Sequence, residues 1–169
     1  AGSLTAWYSS LIGGENFTKL LDDVEAQYST DMEGLVTRAP MVLPFWSGER
    51  STGWRSNCQG SITGITLNTT SPQLLMSLME GVMMRLRAVI SELSGVLGQS
   101  DGGLAPVHAI VGSGGVLEKG HVWRQMLADI TNLPVLVLRQ DNGETTLNGL
   151  ALHMLGLDEP SKIANDEGR

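Results

Sequence analysis

Apolar residues three and four positions apart mark the clearest element of the chain. Leu75, Leu78, Met79, Val82, Leu86, Val89, Ile90 and Leu93 keep that spacing, the mark of one buried helix face. Ser71 suits an N-cap and Pro72 the first helical position, while Gly95 and Gly98 predict the end. Met76, Met79, Met83 and Met84 on this helix read as core filling. Ahead of it, Phe17, Leu20, Leu21 and Val24 predict a shorter helix over 15–27, after Gly13-Gly14. Residues 4–12 read as a short extended apolar piece, and 28–38, polar with Gly34, as a connector. A buried strand is predicted over 41–45. A second one, over 59–67, alternates weakly through Ile62, Ile65 and Leu67 and has close backbone approaches at Gly60 and Gly64. The stretch 46–57 between them is a loop rich in Gly, Ser and Arg.

The C-terminal third changes rhythm. Residues 107–111 predict a strand, Gly112-Ser113-Gly114-Gly115 a turn, and 119–131 a helix burying Val122, Trp123, Met126, Leu127 and Ile130. A continuous apolar run over 134–138 reads as a strand of the kind parallel sheets use, and 144–155 as a last helix. Residues 99–106 read as a surface loop. The arrangement is α/β. It gives about four strands, the low end of the usual range for a sheet, with no obvious first strand.

Composition narrows the function classes. A chain of 169 residues with 41% hydrophobic content is one domain with a real core. Its net charge of −7 argues against a broad nucleic-acid face, which needs Lys and Arg for the phosphates. A nucleotide remains open, since backbone amides can hold phosphate. No run approaches about 20 apolar residues, so a membrane span is not expected. The single cysteine, Cys58, rules out an internal disulfide and fits a reducing cytoplasm. The sequons at Asn16 and Asn68 read as chance matches. The polar, charged end over 158–169 reads as a tail outside the domain at 1–157.

The glycine turn carries the strongest local chemistry. Glycines let a backbone pass close to a ligand, and the start of the following helix offers free N–H groups; the plain alternative is a tight turn packed on the sheet. Two phosphate motifs fail here. Gly115 and Gly120 have P-loop spacing, but His121 stands where Lys is required. The dinucleotide fingerprint needs a third glycine where Leu117 stands, leaving a partial match in which Arg139 or Asp141 would read the ribose. His108, His121 and His153 show no metal-ligand spacing, and no Gly-x-Ser-x-Gly elbow suggests a hydrolase. Gly48-Glu49-Arg50-Ser51-Thr52-Gly53-Trp54 sets opposite charges side by side. It reads as an ion-pair brace between Glu49 and Arg50, or else as a cleft lining.

Taken together, these segments resemble the FGGY carbohydrate kinases. Residues 44–54 are similar to that family's Gly-Glu-Arg loop. Gly60-Ser61-Ile62-Thr63-Gly64-Ile65 with Gln73-Leu74 and Met79-Glu80-Gly81 is similar to its second signature, which Leu78 fits poorly. Residues 112–115 with 123–129 resemble its glycine-rich adenosine segment, and 144–151 falls where its last helix stands. The Ser-Gly-Gly turn and the Gly-Glu-Arg loop look most like gluconokinase-type members, with xylulokinase types next. The resemblance implies two ribonuclease-H-like domains of the actin and hexokinase type, of which this chain is the second, lacking its first strands. It implies ATP and Mg2+ as cofactors, a sugar substrate, and a catalytic residue in a missing N-terminal kinase domain. By the same resemblance Gly112, Ser113, Gly114 and Gly115 form the nucleotide turn. Gly114 and Gly115 would lie against adenine or ribose, with Ser113 able to hydrogen-bond the nucleoside. Lys119 stands where a small polar residue near the adenine is usual. The other expectations are a dinucleotide-binding fragment of a dehydrogenase, and a non-catalytic fragment that pairs with a partner.

Overall fold

The computed structural model describes residues 2–11, 14, 16–97 and 107–137. The expected last helix over 144–155, Arg139, Asp141, His153 and the tail over 158–169 lie outside the described residues.

The N-terminal piece is a helix, α1 (Gly2–Leu11), and not an extended segment. Leu4 and Tyr8 are one turn apart and both buried, while Ala6 and Leu11 face out. That is helical periodicity, obscured in the sequence by the apolar residues on the outer side. The hydroxyl of Tyr8 donates to the Ser71 carbonyl at 3.3 Å and ties α1 to the start of the long helix. The second helix, α2 (Phe17–Thr30), buries Leu20 and Val24. The expected connector holds a third, α3 (Met32–Thr37), anchored by Leu35. Asp31 creates it: its carboxylate accepts from the Gly34 amide at 3.0 Å, a cap on a new helix start.

Strand β1 (Met41–Leu43) pairs antiparallel with β2 (Ser61–Thr63), Val42 opposite Ile62. The central helix α4 (Ser71–Leu97) then begins one residue earlier than the sequence suggested. Thr70 is its cap. The Thr70 amide donates to Gln73 Oε1 at 3.0 Å, and the Gln73 amide returns to Thr70 Oγ1 at 3.4 Å, a Thr-x-x-Gln capping box. Pro72 sits inside the first turn, where its missing N–H costs nothing. The helix runs past Gly95.

Leu75, Met76, Leu78, Met79 and Met83 form the middle of the core. Beyond them the burial fails: Met84, Leu86 and Leu93 are exposed, so the apolar face foreseen along all of α4 is covered only in its first half. Helix α2 packs on one side of α4 and the C-terminal helix on another, with β1 beside Gly81. The hydroxyl of Tyr28 on α2 donates to Asp129 at 2.8 Å, a polar bridge between α2 and the helix that carries Asp129.

The last section is strand β3 (Ile110–Gly112), a one-turn helix α5 (Gly115–Lys119), helix α6 (His121–Thr131) and strand β4 (Val135–Val137). Strands β3 and β4 are parallel, Ile110 opposite Val135, and α5 and α6 supply the crossover that parallel pairing requires. Among the described residues the four expected strands are present, but in two separate pairs. The helix expected from residue 119 begins at Gly115 and breaks at Gly120, where a side chain would strike Trp123 and the Val116 carbonyl. Among the described residues no helix is long and apolar enough to cross a membrane.

Candidate functional site

The glycine turn follows β3 directly, and each of its residues has a separate reason for its identity. Gly112 is buried, and the space a side chain would take holds the Leu117 side chain. Leu117 is therefore the residue that seats α5 on the strand, which is why the third fingerprint glycine is absent. Gly114 adopts φ 95°, ψ 156°, a conformation close to forbidden for residues with a Cβ. Its carbonyl accepts from the amides of Leu117 and Glu118, both at 3.0 Å, to open α5. A Cβ built on Gly114 or Gly115 meets nothing within 4 Å, so both present bare backbone to open space. Ser113 and Lys119 are exposed beside them.

The amides at this turn are only partly free, where free N–H groups were expected at the start of the helix. Glu118 Oε1 accepts from the Gly114 amide at 3.0 Å. A carboxylate there repels phosphate and suits an uncharged group such as a nucleoside. Arg124 closes the other end of α5, its Nη1 donating to the Leu117 and Glu118 carbonyls at 2.5 and 3.0 Å. Neither Glu118 nor Arg124 was singled out from the sequence. A Glu four residues beyond a turn glycine and a basic residue in the next helix were the available signals.

The Gly-Glu-Arg loop is a brace, but with a different partner. Glu49 is buried and pairs with Arg85 of α4 at 2.5 Å, not with Arg50, which is exposed and unpaired among the described residues. Sequence adjacency misled here, because neighbouring side chains in an extended loop point apart. Glu49 also accepts from Thr52 Oγ1 at 2.7 Å and the Gly53 amide at 3.1 Å. Arg85 Nη2 reaches on to the Ser51 carbonyl and Thr52 Oγ1, both at 2.9 Å, and its guanidinium lies 5.4 Å from the Phe45 ring centre. Thr52 and Trp54 in the same loop adopt left-handed conformations, φ 65° and 51°.

The Thr52 hydroxyl, followed by the Gly53 amide and the Arg85 charge, holds the Glu49 carboxyl below its usual 4.5 despite opposing burial. A depressed folded pKa stabilises above the unfolded value and fails as pH falls through the folded one. Replacing Arg85 by Met should therefore lower Tm by several degrees at neutral pH, with Glu49 left buried and unpaired. The difference from wild type should narrow as pH falls below 4.5. Arg50→Gln should leave Tm unchanged. Thermal melts across pH check all three.

No three His, Cys, Asp or Glu converge on a possible metal site among the described residues. His121 Nδ1 lies 3.8 Å from Glu25 and His108 is exposed.

The sequence model of the FGGY family of carbohydrate kinases, C-terminal domain, matches residues 1–154. The chain is 32% identical over 120 residues to the gluconokinase of Bacillus subtilis, covering 71% of this chain and 21% of that protein. It is 30% identical over 124 residues to the ribulokinase of Shouchella clausii, covering 73% of this chain and 20% of that protein. The crystal structure of gluconate kinase from Lactobacillus acidophilus superposes with a TM-score of 0.68 at 27% identity, over 94% of this chain and 30% of that one. The chain thus spans about a fifth of the length of these curated relatives.

Proposed function

This chain belongs to the FGGY family of carbohydrate kinases, and on that premise we propose that it is the nucleotide-binding part of an ATP-dependent kinase. That kinase transfers the γ-phosphate of ATP to a hydroxyl of a sugar or sugar acid. Gluconate is the favoured substrate and xylulose the next, on the form of the turn at 112–115 and of the loop at 47–54. The preceding N-terminal kinase domain is its partner, and the cytoplasm its place. With family and fold given, the dinucleotide reading is set aside: Leu117 fills the space behind Gly112 that its fingerprint would leave to glycine.

The observation that carries the reading is the bare backbone at Gly114 and Gly115, at the end of a parallel strand. Adenine or ribose can lie flat against it, with Ser113 as a hydrogen-bonding partner. Glu118, bound to the Gly114 amide, repels the phosphates and so directs that end of the nucleotide away from the turn. ATP supplies the phosphoryl group when bound. Mg2+ would enter with the phosphates. Lys119, exposed at the end of α5, can approach the nucleoside edge.

Gly115→Val tests the site more cleanly than Gly114→Val, since Gly114 would also pay for its strained φ of 95°. At Gly115 the branch enters open space, so Tm should stay close to wild type. ATP affinity of the full-length protein should fall by at least about tenfold, or ~1.4 kcal/mol. Calorimetric titration with ATP and with NAD decides the matter. Equal ATP affinity in the variant would remove the nucleotide from this turn, and preferential NAD binding would overturn the kinase reading.

A further inference from the structure

We propose that the cleft between α1, the loop at 44–51 and α4 is a second ligand site, one that binds an anionic carbohydrate: a polyol bearing a carboxylate or a phosphate. It shares no residue with the glycine turn and so goes beyond the nucleotide reading.

The cleft encloses about 510 Å3. Trp7, Phe45 and Trp46 give it apolar walls, and all three rings are only half-buried. Ser47, Arg50 and Ser51 stand along the same walls, exposed, with no side-chain partner among the described residues. A few convergent polar groups over an aromatic lining is the common composition of a small-molecule site.

Ring geometry selects the ligand's shape. Trp7 and Trp46 meet at 62° with centres 5.0 Å apart, a wedge rather than a slot. A flat base needs two parallel faces to be sandwiched. The C–H face of a sugar needs one ring, and its hydroxyls project sideways to Ser47 and Ser51. Charge selects the sign. Glu49 lies in the cleft wall but is neutralised by Arg85 and fully engaged by Thr52 and Gly53. Arg85 is engaged in turn with Glu49, Ser51 and Thr52. Arg50 is left as a free guanidinium, a local positive charge in a chain of net −7. The guanidinium fork fits carboxylate and phosphate alike. The Glu49–Arg85 brace fixes the loop beforehand, so little ordering cost falls on binding.

The test titrates gluconate, 6-phosphogluconate and neutral xylulose into the full-length protein, wild type and Arg50→Gln, by calorimetry and tryptophan fluorescence. At least one of the two anions should bind, with a change in tryptophan emission, and Arg50→Gln should weaken it by about ten- to a hundredfold, the worth of a charged hydrogen bond. Which anion responds separates carboxylate from phosphate recognition. Ser47→Phe, which fills the cleft from an exposed position, should abolish the same signal. ATP titration of the same samples reports the glycine turn separately, so failure of the nucleotide reading is distinguishable. Unchanged anion affinity in both variants, no binding of either anion, or a loss of xylulose affinity in Arg50→Gln as large as that of the anions would overturn the proposal.

Discussion

Residues 1–169 expressed alone are expected to phosphorylate none of gluconate, xylulose, ribulose and glycerol, and to aggregate. Phosphoryl transfer needs the sugar hydroxyl, the γ-phosphate and Mg2+ in line, with a base at the hydroxyl. Among the described residues, three carboxylates are already committed. Glu49 is locked to Arg85, Glu118 caps Gly114, and Asp129 accepts from Tyr28 and Gln125. Glu80 lies half-buried on α4, where burial raises its pKa. Solubility should fail for a different reason. Strand β3 has one described neighbour, β4, and no described residue pairs with its other edge. On the outer face of that pair Val111 and Leu136 are 59% and 57% exposed, and on β1 Met41 is 71% exposed. Open edges and bare apolar faces recruit other chains. A coupled assay for ADP release with size-exclusion chromatography checks both halves. Turnover above background from a soluble monomer would show that the catalytic parts lie within this chain.

Trp123→Ala in the full-length protein is expected to cost about 3–5 kcal/mol, as deletion of a buried ring does. Trp123 is 3% exposed, stands against Gly120 where α5 meets α6, and belongs to the face that α6 presents to α4. A loss of that size is a large part of the ~5–15 kcal/mol typical of a domain. Trp54→Ala, by contrast, should cost almost nothing. Trp54 is 79% exposed and held at φ 51°, so its ring contributes little packing. Urea denaturation of both variants measures the contrast. Equal losses would mean that the α4–α6 contact is not the centre of the core.

The parts of the fold that could be read from the sequence were those in which one side of an element is buried. Val122, Trp123, Met126 and Leu127 fall one turn apart and face inward as the spacing requires. The start of α4, to within one residue though not its cap at Thr70, and the parallel run at β4 were legible for the same local reasons. What failed depended on distant partners. Residues 2–11 form a helix because Leu4 and Tyr8 dock on the core, while apolar residues on the exposed side hide the period. Leu86 and Leu93 follow helical spacing yet face outward, since no described element covers the second half of α4. At the candidate site, Gly114 and Gly115 were legible because a strand–glycine–helix pattern is local. The Glu49–Arg85 pair was not, because 36 residues separate its partners and only the packing of β1 on α4 brings them together.

We propose that the full-length protein is an ATP-dependent carbohydrate kinase whose nucleotide lies against Gly114 and Gly115. The most direct measurement gives it ATP, Mg2+ and, in turn, gluconate, xylulose, ribulose and glycerol, and follows ADP release. ADP should appear with at least one of these, gluconate first, and Gly115→Val should raise the KM for ATP more than that for the sugar. No sugar-dependent ADP release, or turnover in Gly115→Val with an unchanged KM for ATP, would contradict the claim.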